Sequence, residues 1–398
     1  MLISPSTVIW QATLDNLVQP GWLLYCIGII VILTREILKR NRNALLMMVS
    51  ILILMAAMIL DILTGRAILN LPPLLTYIFV LFVITMALIL VNRFVSLQEE
   101  TISLNKQLVR FNAASRRFVP FEFLSLLEKG SIVDVNLGDQ VQKEMAILFS
   151  DIRGFTSLSE MMTPRENIDF INSYLRRMGP VIRQNGGFID KYIGDAIMAL
   201  FATNPESAIR ASIDMHEKLH MWNESRQKHQ MVPVRIGVGI HVGRLMLGTI
   251  GENERLEGTV IADSVNLASR IESLTKLYGA SVLISGDTKD TLKSPERYQL
   301  RLVDRVRVKG KNTPVELYEL LNVLPSSELE LRLKQFTRFN QAMQHYAEGN
   351  IDDAEVLFME IYRESKDTAS GVLIRRCRSL KEKGLPENWD GTTTLTSK

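Results

Sequence analysis

Apolar residues crowd the first hundred positions of this 398-residue chain, and the pattern beyond them alternates on a finer scale. Three runs, at about residues 17–33, 44–63 and 74–91, each approach the ~20 apolar residues that a helix needs to cross the hydrocarbon core of a bilayer. The second is broken only by Ser50 between Ala44 and Leu60, the third carries no charge, and the first is eroded at its start by Gln19 and Pro20. Asp61 is the one acidic residue inside a run, placed at an end from which it can reach the interface. These runs predict a membrane domain of three transmembrane helices over residues 1–93. No small-residue cleavage site follows the first run, so a cleaved leader is not expected.

After Arg93 the period changes. Phe94, Leu97, Thr101, Leu104, Leu108, Phe111, Ser115 and Phe118 recur at every third and fourth position, with mostly polar residues between them. This predicts a helical connector within residues 94–142, with the seam of a two-stranded coiled coil. An amphipathic helix lying on its own domain has the same pattern. Pro120 ends that helix and begins a short linker helix to Leu127, and residues 131–140 are rich in turn formers.

From residue 143 to 322 strand and helix signals mix. Strands are predicted at Met145–Phe149, Gly187–Ile193, Ala196–Ala202, Val234–Val242, Leu245–Ile250, Val282–Ile284, Tyr298–Val308 and Val315–Leu321. Helices are predicted at Pro164–Gln184, Glu206–Glu224 and Asp263–Tyr278. This order indicates an α+β domain with helices over an antiparallel sheet. Residues 325–385 read as a helical tail, with helices at Leu329–Glu348, Ile351–Arg363 and Thr368–Lys381. The first two form a tetratricopeptide-like pair. A single repeat cannot bury a core alone, so the tail is expected to dock on the preceding domain or on a partner copy. Residues 386–398 are polar and are expected to be disordered.

Charge changes this picture in one place. With 46 Lys and Arg against 43 Asp and Glu, the net charge of +3 gives no support for bulk nucleic-acid binding. Its distribution, however, sets an orientation. Arg35, Lys39, Arg40 and Arg42 fill the first connection between apolar runs, Arg66 alone marks the second, and Arg93 follows the third. The positive-inside rule puts the N-terminus outside and everything after Arg93 in the cytoplasm. The two cysteines, Cys26 and Cys377, exclude a disulfide framework.

The chemistry concentrates in residues 148–156, Leu-Phe-Ser-Asp-Ile-Arg-Gly-Phe-Thr, where an apolar strand ends on Asp151 and enters a glycine-bearing turn. Asp195, 44 residues on, follows Gly194 in a similar setting. Two carboxylates at strand ends can hold a pair of hard divalent cations against a triphosphate, whereas isolated Asp-Gly neighbourhoods are usually solvated turns. Further polar residues at nucleotide-site spacing favour the first reading. Asn266 and Arg270 are spaced i, i+4 and share a helix face.

Four ordered blocks, Leu148–Glu160, Phe188–Phe201, Arg235–Gly251 and Glu257–Glu272, give residues from about 143 to 320 a resemblance to the class III nucleotidyl cyclases, in particular to bacterial membrane-bound adenylate cyclases. The resemblance implies a ferredoxin-like catalytic domain that closes ATP to 3′,5′-cyclic AMP and releases pyrophosphate. It implies two Mg²⁺ or Mn²⁺ ions per site on Asp151, Asp195 and the carbonyl of Ile152. It implies that Asn266 orients the ribose and Arg270 stabilises the pentavalent phosphate. It also places Lys191 and Thr259 on the adenine edge, Lys309 (or its neighbour Lys311) on the terminal phosphates, Phe155 and Thr156 beside the phosphates, and Arg255 as a further phosphate contact. A lysine donates to adenine N1 and a threonine hydroxyl accepts from N6, so ATP is the expected substrate. The family's sites form between two catalytic domains, which implies a homodimer. The three-span arrangement resembles the last helices of seven-span bacterial receptors with intracellular signalling modules, and it implies a multi-pass protein of the bacterial inner membrane.

Two other readings have some basis in the sequence. His216-Glu-Lys-Leu-His220 spells a zinc-protease signature, but no third ligand follows at the expected spacing: Arg226 stands six beyond His220. Cyclase-like domains can also persist as dimerisation or nucleotide-sensing modules once site residues are lost. Here Asp151, Lys191, Asp195, Thr259, Asn266 and Arg270 are all present.

Overall fold

A computed structural model describes residue 25 and residues 27–39, 42–65, 68–115, 118–252, 254–307 and 313–394. The chain divides into two compact units, residues 1–114 and 115–398.

In the first unit residues 27–38 are helical, and most of the first predicted span lies outside the described residues. Helix α1 (Arg42–Gly65) and helix α2 (Leu75–Ser115) follow. Both are long and apolar enough to cross a membrane, over Asn43–Thr64 and Leu75–Ser115. Leu33, Ala44 and Ile51 make a small buried cluster with Phe82 against it. The Asp61 carboxylate accepts from the Leu74 and Leu75 amides at 2.9 and 3.0 Å, capping the start of α2. The span and the connector are one unbroken helix, and none of its residues is buried.

In the second unit α3 (Phe121–Leu126) begins directly after Pro120. The remaining elements are β1 (Gln140–Ile152), α4 (Phe155–Ser159), α5 (Pro164–Gln184), β2 (Phe188–Ile193), β3 (Ala196–Phe201), α6 (Glu206–Lys228), β4 (Ile236–Glu252), β5 (Arg255–Ile261), α7 (Asp263–Tyr278), β6 (Val282–Ser285), α8 (Gly286–Asp290), β7 (Leu300–Arg307) and β8 (Val315–Leu320). The tail adds α9 (Ser326–Glu348), α10 (Ile351–Ser365), α11 (Thr368–Lys383) and β9 (Thr393–Thr394). The sheet order is β2-β3-β1-β4-β6-β8-β7-β9, with β5 also on β4.

The central strand explains its own sequence. Ala146 and Leu148 of β1 join the cluster beneath α5 and α6, whereas Met145, Ile147 and Phe149 join the opposite cluster with Phe123 of α3. A strand covered on both faces reads as a continuous apolar run, as residues 145–149 do. Helix α5 is set by a capping box between Thr163 and Glu166, with Pro164 at its first position.

The structure corrects four sequence expectations. The sheet is mixed: β6 runs parallel to β4 because α7 crosses over between them, and β9 runs parallel to β7. The strands expected at Val234–Val242 and Leu245–Ile250 are one, β4, paired with β1 without a break through Met145↔Gly243 and Glu144↔Arg244. Strand β5 was not anticipated, and it pairs antiparallel with β4. Residues 387–394 are ordered, against expectation. Trp389 sits edge-on to Tyr346 and donates to its carbonyl at 2.9 Å, and Asp390 pairs with Arg307 at 2.6 Å. Residues 395–398 lie outside the described residues.

Candidate active site

Pairing of β1 with β3 through Ser150↔Ile197 sets the end of β1 beside the β2–β3 turn. That turn requires Gly194, whose φ of 65° lies in the left-handed region. Asp151 and Asp195 therefore converge. The Ile152 amide donates to both, at 3.0 Å to Asp151 Oδ1 and 3.3 Å to Asp195 Oδ2. Burial, together with the facing Asp151 carboxylate, pushes the Asp195 carboxyl up to about 7.

A third carboxylate joins them that the sequence reading did not assign. Glu272 of α7 is pushed up to about 7 by burial and by the negative charges of Asp151 and Asp195, with Arg153 opposing. Arg153 donates to the Ala280 carbonyl at 2.5 Å. Gly237 of β4 leaves room for this group: a Cβ there would stand 2.9 Å from Glu272 Oε1 and 3.3 Å from an Arg153 nitrogen. In the sequence Glu272 closes the fourth ordered block, two residues after Arg270, with no role attached to it.

The carboxylate pair suits a hard divalent cation. Two oxygen donors of like charge crowd one amide, and a cation between them lets both stay ionised. Among the described residues no three Asp, Glu, His or Cys side chains form a complete cage. Further ligands would come from the Ile152 carbonyl, from water and from a triphosphate, which is how Mg²⁺ is commonly held.

Lys191 of β2 and Thr259 of β5 meet: the ammonium donates to the hydroxyl at 3.1 Å. Asp190 and Glu257 flank the ammonium at 3.6 and 3.7 Å. Burial raises the Asp190 carboxyl, and Lys191 opposes that rise.

Asn266 and Arg270 stand exposed on α7. At 100° per residue, Arg270 points roughly 160° and Asn266 roughly 120° away from Glu272 around the helix. Glu272 Oε1 stands by Gly237, the β4 partner of Asp151, so the face bearing Asn266 and Arg270 is turned away from that side of the sheet.

Phe155 stacks on Phe170 at 6.2 Å, so its ring is half-buried against the edge of the core. Thr156 is exposed in the first turn of α4, and Arg255 is exposed at the start of β5. Lys309 and Lys311 lie outside the described residues. The His216 and His220 pair does not present two rings alike: His216 Nδ1 binds the Ser212 carbonyl at 2.7 Å, whereas His220 is exposed 3.7 Å from Glu224.

Residues 138–322 match the family described as the adenylate and guanylate cyclase catalytic domain. Over 210 residues the chain is 46% identical to an adenylate cyclase of Anabaena cylindrica, covering 51% of this chain and 42% of that protein. Over 270 residues it is 37% identical to the terminal-differentiation specific adenylate cyclase of Dictyostelium discoideum, covering 66% of this chain and 12% of that protein. The crystal structure of the adenylyl cyclase CyaB from P. aeruginosa is 30% identical, covering 46% of this chain and 95% of that one, with a TM-score of 0.41. The chain spans less than half the length of the curated relatives it matches.

Proposed function

Through residues 138–322 this chain belongs to the adenylate and guanylate cyclase catalytic family, and on that premise we propose that it is a membrane-anchored adenylate cyclase with sites shared across a homodimer. Its reaction converts ATP to 3′,5′-cyclic AMP and pyrophosphate: the ribose 3′-oxygen loses its proton and bonds to the α-phosphorus, and the bond to the pyrophosphate oxygen breaks.

The observation that carries the reading is the division of α7. Glu272 Oε1 stands by Gly237, the β4 partner of Asp151, while Asn266 and Arg270 are exposed on the opposite part of the helix. A helix arranged in this way serves two half-sites, one in its own chain and one in a second copy. Arg270 offers a planar, permanently charged fork suited to the charge that builds on the α-phosphoryl oxygens. Asn266 holds the ribose one helical turn away.

Base choice falls to Lys191 and Thr259. An ammonium has three donors, so Lys191 can keep its bond to Thr259 and donate another to adenine N1. The Thr259 oxygen has a lone pair left for the N6 amine. The assignment to ATP rather than GTP agrees with the names of the relatives from Anabaena and Dictyostelium.

Asp151, Asp195 and the Ile152 carbonyl would hold Mg²⁺ or Mn²⁺, two ions per site. When bound, these cations supply Lewis acidity that lowers the pKa of the 3′-hydroxyl and neutralises the triphosphate. The backbone of Phe155 and Thr156, with Arg255 and Lys309, are assigned to the phosphates.

The connector supports the dimer. Leu97, Leu104, Leu108 and Phe111 are each more than half exposed along α2, and a second copy in a coiled coil would cover that seam. Helices α1 and α2, with the apolar run at 17–33, make three spans with the N-terminus outside and the catalytic domain where ATP is. The test is direct. The full chain in lipid nanodiscs, given ATP with Mg²⁺ or Mn²⁺, forms cyclic AMP that chromatography resolves. Absence of cyclic AMP with either ion would sink the reading.

A further inference from the structure

The tail helices share a core with the catalytic domain. Leu267, Ile271 and Tyr278, at helical spacing on α7, lie in one apolar cluster with Val372, Leu373 and Cys377 of α11. Asn266 and Arg270 each immediately precede a member of that cluster, so the face that α11 holds adjoins the face that carries them.

At the end of α7 the contact becomes polar and buried. The Tyr278 hydroxyl donates to Asp304 of β7, and Arg376 of α11 forms an ion pair with the same carboxylate. Arg376 also donates to the Tyr278 hydroxyl at 2.9 Å. Asp304 is fully buried and Tyr278 nearly so. Gly279 then turns with φ of 67°, pressed against the first residue of α11: a Cβ there would stand 2.6 Å from Thr368 Oγ1. A second buried group fixes the start of α11. Arg301 pairs with Glu319 at 2.5 Å and with Asp367 at 3.1 Å, and Arg332 pairs with Asp367 as well.

Apolar contact alone lets two helices slide by fractions of an ångström. A buried carboxylate held by both a phenol and a guanidinium allows one arrangement, because any other leaves a charge unpaired out of water. The Tyr278–Asp304–Arg376 contact therefore fixes the rotation and the height of α7 against both β7 and α11.

We propose that the tail is a positioning element of the catalytic machinery, in which Tyr278, Asp304 and Arg376 seat α7 and so set where Asn266 and Arg270 meet a nucleotide. The inference rests on the cyclase reading and deepens it. The three residues touch no substrate and act through the helix. Displacement of a transition-state group by about 1 Å can cost on the order of a hundredfold in rate.

The experiment uses the full chain in nanodiscs, comparing Arg376→Met, Arg376→Lys and Tyr278→Phe with Arg378→Ala, which removes an ion pair within the tail to Glu355. Arg376→Met is expected to lower kcat about tenfold or more. KM for ATP should change less than kcat, since Lys191, Thr259, Asp151 and Asp195 are not on α7 and Asn266 is the one ground-state contact assigned to it. Arg376→Lys restores part of the loss, Tyr278→Phe falls between, and Arg378→Ala matches the parent. Hydrogen exchange supplies a readout free of catalysis: in Arg376→Met the amides of residues 265–278 exchange faster while those of β1 do not. Unchanged kcat with unchanged exchange in α7 overturns the proposal. So does a loss of protection spread equally over β1, which marks general unfolding; if Arg376→Met does not fold, Tyr278→Phe is read by the same two measurements. A parent chain that makes no cyclic nucleotide defeats the cyclase reading instead, and the exchange data still decide what seats α7.

Discussion

The Lys191 ammonium reaches the Thr259 hydroxyl at 3.1 Å across a sequence separation of 68 residues, joining the strand after α5 to the strand before α7. A preformed donor and acceptor side by side match the N1 and N6 edge of adenine. Replacing the pair by Lys191→Glu with Thr259→Cys turns that edge into one suited to the N1–H and N2 donors of guanine. Sites built around a polar contact discriminate by orders of magnitude once it is lost. The double variant is expected to lose most ATP turnover and to gain turnover of GTP, followed by chromatography of both cyclic products. Unchanged ATP turnover removes Lys191 from the site.

The seat of α7 also depends on a missing side chain. A Cβ at Gly239 of β4 would stand 2.6 Å from the Glu272 Cα and 2.7 Å from the Ala268 carbonyl oxygen, both backbone atoms of α7. Backbone cannot rotate aside as a side chain can, so Gly239→Ala must push the helix off the sheet. A cost of about 1–3 kcal/mol is expected from such overpacking. Thermal unfolding should show a midpoint lowered by several degrees, together with reduced activity. A variant as stable and active as the parent would show that α7 is not held against β4 as described.

Burial pushes His216 down to about 4, with the Ser212 carbonyl opposing and Arg153 assisting. Its folded pKa is thus below the ordinary value of about 6.5, so the unfolded chain takes up a proton that the fold refuses. This contribution to stability is whole above pH 6.5 and is lost as pH falls toward 4, by at most about 1.4 kcal/mol per unit. Asp195 and Glu272, both raised to about 7, act in the opposite direction as pH rises. The informative quantity is therefore the difference between the parent and His216→Gln. Between pH 6.5 and 5 the parent is expected to lose about 1–2 kcal/mol more than the variant, measured by urea unfolding at each pH. Equal losses would mean that His216 titrates normally in the fold.

Elements with strong local signals were legible in the sequence. The helices Pro164–Gln184 and Asp263–Tyr278 were located to the residue, the first opening on Pro164 and the second stopping at Gly279. What escaped depended on distant packing. Gly243-Arg244 resembled a turn within β4, yet Gly243 is small because Ser264 of α7 packs on it: a Cβ there would stand 2.8 Å from the Ser264 Cβ. Strand β5 is mostly exposed and carries Arg255 and Glu257, so it lacks the apolar alternation of a half-buried strand. Order in residues 387–394 comes from Trp389 on Tyr346, a contact across 43 residues that polar composition conceals. Among the candidate site residues, Asp151 with Asp195 and Lys191 with Thr259 were named from the ordered sequence blocks, and the structure brings each pair together. Glu272 was not among them, because its role arises from burial against Arg153 and two carboxylates rather than from spacing.

Two inactive variants should restore each other. Asp151→Ala removes a carboxylate from the β1 end of every site, and Arg270→Ala removes the guanidinium from the α7 face of every site, so each alone is expected to be nearly dead. In a two-fold symmetric dimer with shared sites, a mixed pair collects both lesions in one site and leaves the other assembled from two intact halves. Random pairing at equal amounts makes about half of the dimers mixed, and one of their two sites works, so about a quarter of parent activity should return on co-expression. Differently tagged copies purified in tandem isolate the mixed dimers, whose specific activity should be about half that of the parent. The outcome follows from the shared-site proposal, which rests on the two faces of α7: Glu272 Oε1 stands by Gly237, the β4 partner of Asp151, and Arg270 lies roughly 160° around the helix. Mixed dimers that form and stay inactive would leave a site contained within one chain as the alternative, and α7 would then have to rotate to bring Arg270 toward Asp151.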